Sequence, residues 1–228
     1  MKMKKIWPWL FMAMTAVVLP SCLNDDNDEV YMIPNAVVTL KTQPDTKEFY
    51  MQLDDSTTLK PTNMDRSPYG EKELRAFISY VPAKKEPRSV TMTSHQVEVH
   101  YMDSIRTKNM AENMGPLNND YGVDPMELVN DWTTVVEDGY LTIRFRTYFR
   151  GYGQPHHLNL VATNPENPYE VTIYHDAKGD LYGDIRDGII AFRLDKLPST
   201  NGETVKLKVN WQSFIGKKSA EFNYRSRD

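Results

Sequence analysis

From residue 140 onward the chain changes character with every step: Leu141, Ile143 and Phe145 are apolar, while the residues between and after them, Thr142, Arg144 and Arg146, are polar. Successive side chains of an extended strand project to opposite faces, so this run has one dry side and one wet side. A helix would need its apolar residues three and four apart instead. Short apolar or alternating runs recur at 158–162, 171–175, 189–194, 205–211 and 220–224, separated by turn chemistry such as Lys178-Gly179-Asp180, Arg186-Asp187-Gly188 and Asn201-Gly202. Strands joined by turns at regular intervals predict an antiparallel β-sandwich over residues 139–228.

The preceding third is also strand-like. Runs at 36–40, 48–53, 74–81 and 94–101 are bounded by turn residues, and Phe49, Met51 and Leu53 share one face of the second. Pro82 ends the third because proline cannot donate to a ladder. Some five short strands without a helical period predict an OB-like Greek-key barrel over residues 31–104. Residues 105–138 lose the alternation and read as a linker holding one short helix. Asp124 is placed as its N-cap, Pro125 at the first helical position, Glu127 three residues after the cap, and Leu128 and Trp132 four apart on one side. The expected fold class is therefore all-β, with a barrel, a short helix and a sandwich in that order.

Residues 1–21 have the layout of a secretory signal peptide: Lys2, Lys4 and Lys5, an apolar run from Ile6 to Leu19, then small residues. The run of about 14 residues is shorter than the roughly 20 that a membrane-crossing helix needs. The only cysteine, Cys22, follows at once, and Leu19-Pro20-Ser21-Cys22 resembles a bacterial lipobox. That resemblance implies lipidation of Cys22 and tethering to a membrane by several acyl chains, since one chain alone anchors only marginally. Residues 22–30 form an acidic tether too poor in apolar groups to fold. Asp25, Asp26, Asp28 and Glu29 in it resemble a surface-export signal, so the expected location is the outer membrane, facing outward or into the periplasm. A single cysteine precludes a disulfide within the chain. The formal charge is −4, and loss of the leader's three lysines leaves the remainder more acidic still, a poor match to nucleic acid.

Several stretches together resemble one family: Cys22 with Leu23, Asn24, Asp25 and Asp26; residues 35–39; 49–55; Asp124-Pro125 ahead of Trp132; 139–143; and 157–161. They are similar to the NigD-like lipoproteins of Bacteroidota. The resemblance implies an N-terminal OB-type domain followed by a β-sandwich, and a role near bacteriocin immunity, with no catalytic residues to carry over. Ser56 stands where the family usually has glycine after the Asp54-Asp55 turn, implying a longer or differently shaped first hairpin.

No residue pattern calls for a cofactor. His156 and His157 are adjacent and should diverge on a strand, as should His95 and His100, while His175 sits beside Asp176; none has zinc-site spacing. Residues 176–184 carry acids around glycines but read as a hairpin turn, and no nucleophile elbow or phosphate loop is present. The chain is expected not to be an enzyme. Arg144, Arg146 and Tyr148 fall on one strand face and are the candidate ligand surface, for a glycan or a protein; the alternative is a solvated face paired with neighbouring acids. The functional expectation is a lipid-anchored binding or protective module, bacteriocin-immunity-like, with a structural glycan- or protein-binding lipoprotein as the alternative.

Overall fold

In the computed structural model, which describes residues 34–83, 93–151 and 155–227, the first strand, β1 (Ala36–Thr42), has no wet side along most of its length. Ala36, Val38 and Leu40 point into a barrel, and Val37 points out of it against Ile105 and Ala191. The barrel is completed by β2 (Phe49–Gln52), β3 (Thr58–Pro61), β4 (Leu74–Pro82) and β5 (Ser94–Ser104), closed in the order β1-β2-β3-β5-β4. The closing pair β3–β5 is parallel and the others are antiparallel. Met51, Leu59, Ile78 and Val97 fill the interior. Each such side chain contributes about 1.5–3 kcal/mol by leaving water, and closure removes the exposed edges of an open sheet.

The rest of the chain forms two facing sheets. In chain order their strands are β6 (Thr107–Asn109), β7 (Glu127–Val129), β8 (Val135–Glu137), β9 (Tyr140–Phe149), β10 (His157–Ala162), β11 (Glu170–Asp176), β12 (Asp184–Arg193), β13 (Val205–Ser213) and β14 (Gly216–Tyr224). One sheet runs β6-β12-β9-β7, with β8 also on β9; the other runs β10-β11-β13-β14. Leu141, Ile143, Leu160, Ile173, Phe192, Leu207 and Val209 interdigitate between them. The longest pairing, β9 with β12, places Asp184 opposite Phe149 and Arg193 opposite Tyr140.

Two expectations for residues 105–138 are corrected. The helix started by Asp124 is not there: Glu127, Leu128 and Val129 are strand β7, opposite Arg146, Phe145 and Arg144. The unpaired edge of β9 offers those backbone groups ladder partners, and the Asp124 carboxylate that would cap a helix instead accepts the Ala177 N–H at 2.8 Å. Trp132 turns away from Leu128 and meets Phe77 of the barrel edge-on, with ring centroids 6.0 Å apart. The one short helix between barrel and sandwich is a 3-10 helix at Gly115–Tyr121, with Pro116 in its first turn. The segment is also not a linker, because β6, β7 and β8 all belong to the β9–β12 sheet.

Barrel and sandwich are joined by buried polar contacts. Arg75 of β4 is 0 % exposed; its Nη1 donates to Thr39 at 3.0 Å and its Nε donates to Thr142 of β9 at 3.2 Å, with Glu137 3.5 Å from Nη2. Lys41 pairs with Asp138 at 2.8 Å, and Arg227 bridges Glu73 and Asp138. Ser56 closes the β2–β3 hairpin by an Asx turn, its N–H donating to Asp54, while Asp55 accepts the Asp138 N–H at 2.7 Å. The hairpin thus meets the turn before β9.

Candidate functional site

An open groove of about 570 Å³ lies on the outer face of the β10-β11-β13-β14 sheet. Its floor follows from alternation: Val171, Ile173, Val209 and Trp211 turn inward, which sends Thr172, Tyr174, Asn210 and Gln212 outward. The parallel register sets Thr172 beside Asn210, and the antiparallel register sets Gln212 beside Lys217 and Asn210 beside Ser219. The 3-10 helix and the residues after it form a wall. Tyr121 packs 6.2 Å from Tyr174, centroid to centroid, and Val123 makes a parallel bridge to His175. Gly122 has φ of 101°, and a Cβ there would sit 2.4 Å from the His175 carbonyl oxygen, so only glycine lets the wall approach this closely.

Charges in the groove are largely matched. Glu170 accepts from Asn164, Asn210 and Lys208, which together hold its carboxyl below the usual range. Lys218 pairs with Glu127 at 2.9 Å. Lys217 has no ion-pair partner among the described residues. Burial raises the Tyr174 phenol, opposed by a hydrogen bond with Asn118.

Behind the wall lie two histidines that sequence spacing did not connect. His156 Nδ1 is 3.0 Å from His175 Nε2, His175 Nδ1 is 3.3 Å from the Asp124 carbonyl, and His156 Nε2 is 3.7 Å from Asp180 Oδ2. Asp180 in turn accepts the Arg150 N–H. His157 points outward, as strand geometry requires, and no group of three or more potential metal ligands gathers among the described residues. Other displaced titratable groups sit at the domain junction. Burial and a hydrogen bond to Glu73 raise the Tyr140 phenol. Burial also opposes ionisation of Glu73, but hydrogen bonds from Tyr140 and Arg227 outweigh it and hold the carboxyl low.

Arg144, Arg146 and Tyr148 do share one face of β9, but its charge is taken up internally. Arg144 reaches Asp131 at 2.6 Å and also Asp187, and Arg146 reaches Asp187 at 2.6 Å. Hydrogen bonds from the two arginines lower the Asp187 carboxyl to about 2. Tyr148 packs edge-on against Phe214 with centroids 5.2 Å apart. Cys22, Asp25, Asp26, Asp28 and Glu29 lie outside the described residues. Among the described residues no helix is long and apolar enough to cross a membrane.

Comparison with known families divides the chain at the same junction. Residues 37–105 match the NigD-like N-terminal OB domain and residues 108–224 match the NigD-like C-terminal beta sandwich domain. The chain belongs to the NigD-like family. A crystal structure of a provisionally named toxin-related protein from Parabacteroides distasonis is 32% identical to the NigD-like chain, with a TM-score of 0.68 over 83% of this chain and 92% of that one. A NigD-like immunity protein from Bacteroides caccae is 20% identical, with a TM-score of 0.57, covering 83% of this chain and 96% of its own. A provisionally named lipoprotein of Bacteroides fragilis is 11% identical, with a TM-score of 0.55, over 84% and 99%. The last two share the fold. No curated protein matches the chain.

Proposed function

We propose that this NigD-like chain is a lipid-anchored, non-enzymatic binding module of the outer membrane that protects the cell from an exported antibacterial protein. Family membership carries this reading, since an immunity protein from Bacteroides caccae shares the two-domain fold. It is supported by the structural use of four titratable groups, Arg75, Glu73, Tyr140 and Asp138, which hold the barrel to the sandwich. Cys22 carries the acyl chains, and Asp25, Asp26, Asp28 and Glu29 direct the chain outward. The test is survival of a deletion strain, its parent and a Cys22→Ala strain, challenged with filtered culture fluid from competing strains of the same phylum. Deletion and Cys22→Ala should each sensitise the cells; equal survival of all three overturns the reading.

The groove favours a second role, capture of a glycan or protein ligand at the cell surface. Its outward Tyr174, Asn210 and Gln212 replace Arg144, Arg146 and Tyr148 as the ligand-facing group.

A further inference from the structure

The groove states what its ligand must offer. Asn210 Nδ2 donates to Glu170 Oε1 at 2.9 Å and to the Val171 carbonyl at 3.3 Å, and Gln212 Nε2 donates to the Ser213 carbonyl at 3.1 Å. Both amide orientations are fixed by these acceptors, since a flipped amide would set oxygen against oxygen. The Asn210 and Gln212 side-chain oxygens accept no hydrogen bond among the described residues and belong to residues lining the groove. A ligand in the groove can donate to them in place of solvent. Lys217, beside Gln212 in the register, supplies donors for a ligand acceptor. Glu170 and Lys218 are already paired, so no strong field of one sign selects a multiply charged ligand.

Spacing narrows the class. Tyr174, Gln212 and Lys217 stand on three neighbouring strands, β11, β13 and β14, and neighbouring strands lie about 4.8 Å apart. The outward groups thus form a row, with one recognition element per strand and a repeat comparable to one pyranose ring. Tyr174 is steadied by Tyr121 and Asn118 and lines the groove, where its ring can meet the C–H face of a sugar. Hydroxyls both donate and accept, which suits amide oxygens and an ammonium in the same row. A volume of about 570 Å³ holds a ligand of a few rings.

We infer that the groove across β11, β13 and β14 binds a neutral oligosaccharide, with Tyr174 as the stacking platform, the Asn210 and Gln212 oxygens accepting sugar hydroxyls, and Lys217 donating. This rests on the second role above and is independent of the protective one.

The test is titration calorimetry of the folded mature chain with tetrasaccharides of glucose, xylose, mannose and N-acetylglucosamine, alongside a tryptic peptide mixture. At least one sugar should bind. Tyr174→Ala should abolish detectable binding, and Gln212→Leu, which removes the acceptor together with the hydrogen bond to the Ser213 carbonyl without opening the floor, should weaken it roughly tenfold. Arg146→Ala, on the other sheet, should leave it unchanged. Circular dichroism and melting temperature establish that each variant is folded, and Lys217→Ala, which removes the donor of the row at an exposed position, should weaken binding if Tyr174→Ala fails to fold. Sugar binding that survives both groove substitutions overturns this site while sparing the glycan role. Binding of peptides with no sugar bound overturns the inference, as does no binding of either; the latter also removes the ligand-capture role.

Discussion

His156 Nδ1 lies 3.0 Å from His175 Nε2, and both side chains are almost wholly enclosed at 7 % and 2 % exposure. One hydrogen occupies the gap between them. The Asp124 carbonyl requires His175 to carry its hydrogen on Nδ1, so its Nε2 accepts from His156. Burial pushes the His175 pKa down, and the neighbouring His156 pushes it the same way. Asp180, Arg150, the Asp124 carbonyl and carboxylate and the Pro125 backbone also face the pair.

The sign of the resulting pH dependence follows. Unfolded His175 takes up a proton near 6.5, whereas the folded imidazole resists until the pH is lower. The unfolded state therefore binds more protons in that window, and stability falls as pH drops below about 6.5. Thermal melts between pH 7.5 and 5 should show this decline, and His175→Leu should flatten it. An equal slope in both proteins would remove the assignment.

Arg75 is expected to control whether the two halves unfold together. Arg75→Ala leaves Glu137 unpaired and Thr39 and Thr142 without their donor, at a cost of about 2–4 kcal/mol once the partial exposure of Glu137 is discounted. Urea unfolding of the wild-type chain should be one transition followed identically by fluorescence and circular dichroism. The variant should lose stability and separate the two probes; a single unchanged midpoint would contradict the junction described.

Asp187 is held near a pKa of about 2 by Arg146 and Arg144, below its unfolded value of about 3.9. Its contribution is present above the unfolded value and fades as pH falls toward 2. Asp187→Asn should therefore be less stable than wild type at neutral pH, and the two should converge in acid. The gap should also narrow in 1 M salt, because these side chains are solvent-accessible. A difference that ignores both salt and acid would mean that packing, not charge, is at issue.

Gly188 stands opposite Phe145 in the β9–β12 register, and an added Cβ would sit 2.5 Å from Phe145 Cζ. Gly188→Val should cost about 1–3 kcal/mol by displacing that ring from the core. Chemical denaturation measures it. Gly179→Ala, where nothing lies within 4 Å of the new methyl, serves as a control for backbone strain, since its φ is 81°.

The alternation of Leu141, Thr142, Ile143 and Arg144 made β9 and its wet face readable, because a strand with one dry side carries its geometry in its own residues. The short strands at Glu127–Val129 and Thr107–Asn109 were not readable, because three residues carry no period and their partners Arg144–Arg146 and Ala191–Arg193 are distant in sequence. The Asp124-Pro125 pair satisfied every local helix-start rule, and the unpaired β9 edge prevailed. Arg144 and Arg146 were legible as a basic pair, but Asp187, which neutralises them, lies 43 and 41 residues away. The groove depends on β11 and β13 running parallel, a pairing that neither strand advertises. The polar residues Thr172, Tyr174, Asn210 and Gln212 were its only sequence trace.

With Val38 facing the barrel interior and Val37 the apolar seam beside Ile105 and Ala191, β1 is common property of both halves of the molecule. A gene severed between the two family modules would yield fragments bearing a raw oily scar, Val37 and Phe77 on one and Ala191 and Ile189 on the other. Such halves would clump, or seek each other out again, before either could serve as a freestanding part.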